Sequence, residues 1–151
     1  MSILNRKAKF QYHFLEHYVA GIQLFGNEVK SIRQNQVSII ESFCQIKNGE
    51  LYSFNMYIAK YQFDTDINCD YSNRRERKLL LKKNELTRIN KKLKNKGLTV
   101  IPIELFINDK GYVKMKIVLA KGKKIYDKRE CLRKKDSLRE IDKNKKYLKI
   151  I

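Results

Sequence analysis

The sequence predicts a mainly β protein with small helices, followed by a basic C-terminal tail. Three observations carry this. In Q-I-K-N-G-E-L-Y the pair Asn48-Gly49 sits between apolar residues, the strongest short-range hairpin signal, because a type I′ turn needs two positive φ angles. Later, Ile101, Ile103, Leu105 and Ile107 alternate with other residues, the turn N-D-K-G follows, and Val113, Met115, Ile117 and Leu119 alternate with Lys114 and Lys116. That pattern is a second hairpin with one wet face. Beyond residue 120 apolar side chains become too sparse to offset the entropy of ordering the chain. The expected organisation is a body over residues 1–120 and a tail over residues 121–151.

The remaining elements follow in order. Phe10–Leu15 and Ala20–Phe25 have strand composition, and the alternating Phe10, Tyr12 and Phe14 read as core rather than as base-stacking platforms. Gly26–Gln34 places Val29 and Ile32 on one face of a short helix. Between the hairpins, Leu86, Ile89 and Leu93 recur at helical spacing, with Lys91, Lys92, Lys94 and Lys96 on the other faces and Gly97 as the stop. Pro102, the only proline, is expected at an edge or a strand start. Five or six short strands with two small helices suit a closed or partly open β-barrel of the oligonucleotide-binding (OB) type, although periodicity alone equally allows a small α+β sheet. In the tail, Cys131, Leu132, Leu138 and Ile141 form a thin helical stripe, expected to be disordered alone and helical on a polyanion. A solvated tail without a partner is the other reading of such a segment.

Composition narrows the function. The chain has 151 residues, 34 Lys+Arg against 16 Asp+Glu and a net charge of +18. Such an excess points to nucleic acid before anionic membrane, since neutralising phosphates releases counterions. The charge is concentrated. Residues 121–151 hold 13 Lys+Arg and 5 Asp+Glu, and Arg74–Lys96 holds 11 against 2, so the rest of residues 1–120 is almost neutral. Two basic segments on a balanced body look like two binding elements. No apolar run approaches a transmembrane length and the start M-S-I-L-N-R-K-A-K lacks a signal-peptide stretch, which predicts a cytoplasmic protein with no membrane partner. Cys44, Cys69 and Cys131 are odd in number and widely spaced, as free thiols in a reducing compartment are.

Catalytic signals are missing. His13 and His17 lie four apart in a strand-like stretch with no third metal ligand at useful spacing. There is no glycine-rich phosphate loop, nucleophile elbow or carboxylate cluster, so neither a cofactor nor an enzymatic activity is expected. Glu28 and Asp127, beside Lys30 and Lys128, read as orienting or structural partners.

Five strings occur in order: N-R-K-A, A-G-I-Q-L-F-G-N-E-V-K-S-I-R, R-K-L-L-L-K-K-N-E-L, G-L-T-V-I-P and A-K-G-K-K-x-x-D-K-R-E. Together they resemble the SsrA-binding protein family (small protein B), the bacterial partners of transfer-messenger RNA, over essentially the whole chain. The resemblance implies an OB-type barrel that holds the tRNA-like domain of this RNA and enters the vacant decoding site of a stalled ribosome in trans-translation. It implies a tail that becomes helical in the empty mRNA channel, an indirect link to elongation factor Tu through the aminoacylated RNA, and action as a monomer. Carried onto this chain, the RNA-binding positions are Asn5 with Arg6 and Lys7, and Leu80 with Arg74, Arg75, Arg77, Lys78, Lys82 and Lys83. The ribosome-binding tail positions are Gly122, Lys123, Lys124, Asp127, Lys128 and Arg129, with Ile141 as the distal apolar candidate. Two positions depart from the family pattern: Val19 stands where a glutamate often precedes A-G-I, and S-N-R-R-E-R lacks a proline. The charge and barrel alone would also suit a general RNA-binding OB module of the translation machinery, and an RNA-processing enzyme is disfavoured by the missing catalytic cluster.

Overall fold

Local signals set the two hairpins. In the computed structural model, which describes residues 1–64 and 72–148, β4 (Phe43–Lys47) and β5 (Glu50–Phe54) pair across a two-residue turn. Asn48 (φ 52°) and Gly49 (φ 76°) both adopt the left-handed conformation that the turn requires. The second hairpin joins β8 (Leu98–Ile107) to β9 (Val113–Gly122). Before and between them lie β1 (Ser2–Leu4), α1 (Ala8–Gln11), β2 (Tyr12–Ile22), α2 (Gly26–Arg33), β3 (Val37–Ser38), β6 (Tyr57–Ile58), β7 (Arg77–Leu80) and α3 (Lys83–Leu93). The chain continues past β9 into α4 (Ile125–Leu148).

The strands β8, β4, β5, β7, β2 and β9 run neighbour to neighbour, and β9 pairs back onto β8. Six antiparallel strands thereby close a barrel, which removes the free edges of the sheet. The seams differ in width. β2 pairs with β9 over most of its length, whereas β4 meets β8 through the single pair Cys44 and Val100. The edge of β8 left open beyond that pair is taken by β1. Inside, Met115, Ile117 and Leu119 of β9 pack with Leu51, Leu79, Val100 and Leu105, and Ile32 of α2 and Ile89 of α3 join the same core. Each such buried aliphatic side chain contributes about 1.5–3 kcal/mol.

Three sequence expectations change on contact with the structure. Residues Ala8–Gln11 form a helical turn, and the strand after it runs unbroken from Tyr12 to Ile22, with a bulge between Phe14 and Glu16. Pro102 is neither at an edge nor at a strand start. It lies within β8, opposite Ile117 and beside the register shift between Pro102 and Glu104, the irregular kind of site where proline is tolerated inside a sheet. The outer face of β9 is wet at Lys114 and Lys116 but not at Val118 and Ala120, which pack with Ala8 of α1 in a second small core beside Tyr12 and Phe14. The tail, for its part, is helical over α4. Its residues have high helix propensity, Glu130 and Lys134 pair at 3.0 Å, and its first turns are held on α1.

That attachment is specific. The Lys123 backbone N–H donates to Gln11 O at 2.9 Å, and Lys123 Nζ donates to Lys9 O at 2.9 Å and to Cys131 Sγ at 3.1 Å. His13 Nε2 lies 3.5 Å from Asp127 Oδ2, and Lys135 Nζ stands 4.4 Å from the centre of the Phe10 ring. Beyond Lys135 the helix is exposed on every described side.

The most buried polar contact lies elsewhere. Glu28, fully buried in α2, accepts hydrogen bonds from Arg77 Nε (2.9 Å) and Nη2 (2.8 Å), from Arg75 Nε (2.9 Å) and Nη2 (2.6 Å), and from the Phe25 N–H (2.9 Å). Burial alone would raise the Glu28 pKa. The Arg75, Phe25 and Arg77 hydrogen bonds outweigh it and hold the carboxyl below its ordinary value.

Two outcomes are expected. Glu28→Gln leaves Arg77 buried with its partner neutralised, and should cost about 3–5 kcal/mol in urea unfolding at neutral pH. Because the folded pKa is depressed, the Glu28 contribution is complete above the ordinary carboxylate pKa and is lost as pH falls through the lower folded value. The penalty of the variant should therefore shrink in that acidic window. Second, amide exchange in α4 should be slowest over Lys124–Lys135 and rise toward Lys146. Replacing His13 and Lys135 together with alanine should flatten that gradient, and an unchanged exchange profile would count against the docking contacts.

Candidate nucleic-acid interface

The segment R-K-L-L-L-K is extended, so its side chains alternate. Arg77 and Leu79 point inward, while Lys78, Leu80 and Lys82 point outward. Leu80 is 53% exposed, unusual for a leucine in a strand. Its partner across the ladder is Gly21 of β2. A Cβ on Gly21 would stand 3.3 Å from Leu80 Cβ and 3.7 Å from Lys114 Nζ, so glycine lets the leucine lie close against the neighbouring strand. The result is an open groove of about 820 Å³ whose floor is Val19, Gly21 and Leu80, with Lys82, Lys114 and Lys116 around it.

Such a groove combines an apolar floor with cationic walls, which suits a nucleic-acid strand better than a simple anion. Its acidic neighbours are occupied. Glu85 accepts the Lys82 backbone N–H at 3.1 Å and caps α3. Glu16 pairs with Lys92 and accepts from the Tyr18 hydroxyl, so its pKa is lowered, Lys92 being the main cause. Burial, reinforced by Glu16, pushes the Tyr18 hydroxyl up to about 12. Lys116 is paired with Glu104 at 2.6 Å, whereas Lys114 has no acidic partner among the described residues.

The residues expected from the sequence are distributed unevenly. Leu80 and Lys82 line the groove, whereas Lys78, 3.3 Å from Glu50, and Lys83 do not. Arg77 is corrected outright: it is 0% exposed, and besides Glu28 it donates to the carbonyls of Met56, Asn73 and Arg75, so it cannot reach a phosphate. Arg75 is half-buried on the same glutamate and stacks 4.2 Å from the Phe25 ring centre, which makes it structural as well. Arg74 lies apart from the groove, donating to Asn55 Oδ1 at 2.7 Å and leaning over Tyr57. Asn5 is buried and its Nδ2 donates to Pro102 O (3.1 Å) and Ile39 O (3.4 Å), bracing the bulge of β8, while Arg6 and Lys7 beside it are exposed.

In the tail, Gly122 is the last residue of β9 and faces Tyr12. Lys123 and Asp127 are engaged as described above, and Asp127 also bonds the Lys124 backbone and Tyr126. Removal from water opposes the Asp127 charge, but these hydrogen bonds and His13 prevail and hold its pKa below the ordinary value. Lys124, Lys128, Arg129 and Ile141 are exposed. Among the described residues no group of His, Cys, Asp and Glu could hold a metal ion, and no helix is long and apolar enough to cross a membrane. Cys44 is buried, which pushes its thiol pKa up, Cys131 is half-exposed, and Cys69 lies outside the described residues.

Lys114, Lys116 and Gly21 were not singled out from the sequence as binding residues. The lysines read only as the wet face of a hairpin, and nothing local announces that β2 places Gly21 against Leu80.

Comparison with known proteins agrees with this geometry. The family model described as SmpB protein matches residues 2–147. An SsrA-binding protein from Christiangramia forsetii is 48% identical over 149 residues, covering 99% of this chain and 94% of its own. One from Carboxydothermus hydrogenoformans is 49% identical over 139 residues, covering 92% and 91%. A solved chain described as "tmRNA-SmpB: a journey to the center of the bacterial ribosome" superposes with a TM-score of 0.69 at 43% identity, covering 87% of this chain and 94% of that one. With one family matched from residue 2 to 147 and relatives near half identity along almost the full length, the chain belongs to the SmpB family, the SsrA-binding proteins.

Proposed function

We propose that this chain binds transfer-messenger RNA and brings it to stalled ribosomes for trans-translation, so that incomplete polypeptides are tagged for degradation. It acts in the cytoplasm as an RNA-binding factor and not as a catalyst. The work divides between two parts. The barrel, residues 1–120 with the short strand end that follows, selects the RNA through the groove at Leu80. The tail, residues 121–151, enters the empty mRNA channel and reports that no message is present.

The observation that carries this reading is α4. A helix of 24 residues that, among the described residues, touches the body through its first turns and otherwise presents Lys and Arg to solvent offers little to the barrel's own stability. Its surface suits a channel walled by ribosomal RNA, where each neutralised phosphate releases counterions. A message already in the channel would exclude it by volume and by charge. Gly122 ends the last strand, Lys123 anchors the junction, and Lys124, Lys128 and Arg129 face outward for such contacts.

The test pairs RNA binding with tagging of stalled chains. Truncation after Lys124, just past the barrel, should keep selective binding of transfer-messenger RNA over an unrelated transfer RNA and abolish tagging. If tagging survives, or selectivity is lost, the division of labour is wrong. Leu80→Asp should weaken RNA binding at least about tenfold by placing like charge against phosphate, with unfolding unchanged because Leu80 is exposed. If Lys82, Lys114 and Lys116 of the groove each neutralise one phosphate, log K should fall against log salt with a slope between about −2.1 and −2.7. Equal affinity for both RNAs would instead favour a general RNA-binding module.

A further inference from the structure

A second cavity, of about 210 Å³, adjoins the groove and shares Gly21, Leu80 and Lys114 with it. It runs from Leu80 toward the tip of the β8–β9 hairpin and is lined there by Gly111, Tyr112 and Val113. Tyr112 is 65% exposed. Among the described residues its ring has no stacking, cationic or hydrogen-bonding partner, unlike the many other aromatic side chains held in such pairs. Its backbone, by contrast, is fixed. The Tyr112 N–H donates to Asn108 Oδ1 at 2.8 Å, the Asn108 N–H donates to Tyr112 O at 2.9 Å, and Gly111 takes the positive φ (83°) that the turn needs. A solvent-exposed aromatic on a braced turn, beside a cationic apolar groove, loses little freedom when something flat covers it.

We propose that Tyr112 is a stacking platform for an unpaired base of the bound RNA, and that the RNA strand continues past Leu80 along the second cavity to the hairpin tip. The charges favour a nucleotide over a protein segment or a lipid. Lys82 and Lys114 flank the path within a chain of net charge +18, and Glu85, the acidic group that lines it, is committed to capping α3. The ring face accepts any base, so the platform adds affinity without demanding a sequence, and the lysines hold the phosphates on either side. This inference rests on the RNA-binding reading above and extends its footprint by one site.

The chain contains no tryptophan, so Tyr112→Trp introduces a single indole reporter. Its emission should be quenched on titration with the tRNA-like part of transfer-messenger RNA, with affinity retained. Tyr112→Phe should also retain affinity, because the ring and not the hydroxyl does the stacking. Tyr112→Ala should weaken binding about 5- to 150-fold while leaving the salt slope unchanged, since stacking releases no counterions. Lys114→Ala, in contrast, should flatten the slope by about 0.7–0.9. If the unaltered chain binds the RNA but Tyr112→Ala binds within twofold of it, or the indole emission does not move, the platform is refuted alone. If the unaltered chain binds no RNA, the underlying reading fails and this one with it.

Discussion

One buried carboxylate organises this molecule. Glu28 sits in the first turn of α2, and through it the helix is tied to Arg77 at the start of β7 and to Arg75 just before it. Arg77 in turn reaches the carbonyl of Met56 at 2.7 Å, in the loop after β5. Removing the Glu28 and Arg77 charges from water costs several kcal/mol per ion, and only dense, well-aligned hydrogen bonding offsets that. Arginine suits the task because its planar fork can satisfy both carboxylate oxygens and a carbonyl at once, which lysine cannot. The triad fixes where β7 enters the barrel. Since β7 meets β2 through only two residue pairs, that entry point decides whether Leu80 lies over Gly21, and so whether the groove exists. The groove is a downstream product of a contact buried away from it.

The same contact explains what could and could not be read from the sequence. Elements with local causes were legible: the turn at Asn48-Gly49, the second hairpin, α2, and α3 with Gly97 (φ 84°) ending its segment. The basic run Arg74–Lys96 was legible as charge but not as a surface. Two of its arginines answer to a glutamate 47 and 49 residues away, and no periodicity reveals a partner at that distance. Pro102 misled for a related reason, because the bulge that accommodates it depends on register with β9 and on Asn5. Of the positions proposed to face RNA, Leu80 stands out as an exposed leucine once β7 is placed. Lys114, Gly21 and Tyr112 join it only through strand pairing and a turn that lie far away in the chain.

The tail illustrates a different limit. Its sparse apolar stripe argues against self-sufficient folding, and the described helix does lean on the body only at its start. Helix propensity and pairs such as Glu130 with Lys134 are enough to continue a helix once its first turn is fixed, because nucleation is the costly step. Asp127, bonded to the Lys124 backbone and set against His13, performs that nucleation. A residue that reads as a charge in a binding signature thus has a local structural role too.

A helix is also a gauge. At 1.5 Å per residue, the 24 residues of α4 extend about 36 Å, and Ile141 lies about 24 Å from Ile125 along the axis. The spacer between β9 and this rod is two residues, Lys123 and Lys124, one of them anchored to α1. Such an arm can swing about its root but cannot shorten. Any assembly that grips the barrel and the far end together must present its two grips at a separation this arm allows. Insertion of four residues, about one turn, would push the outer grip away by about 6 Å and turn it by about 40° around the axis, so distance and facing would change together.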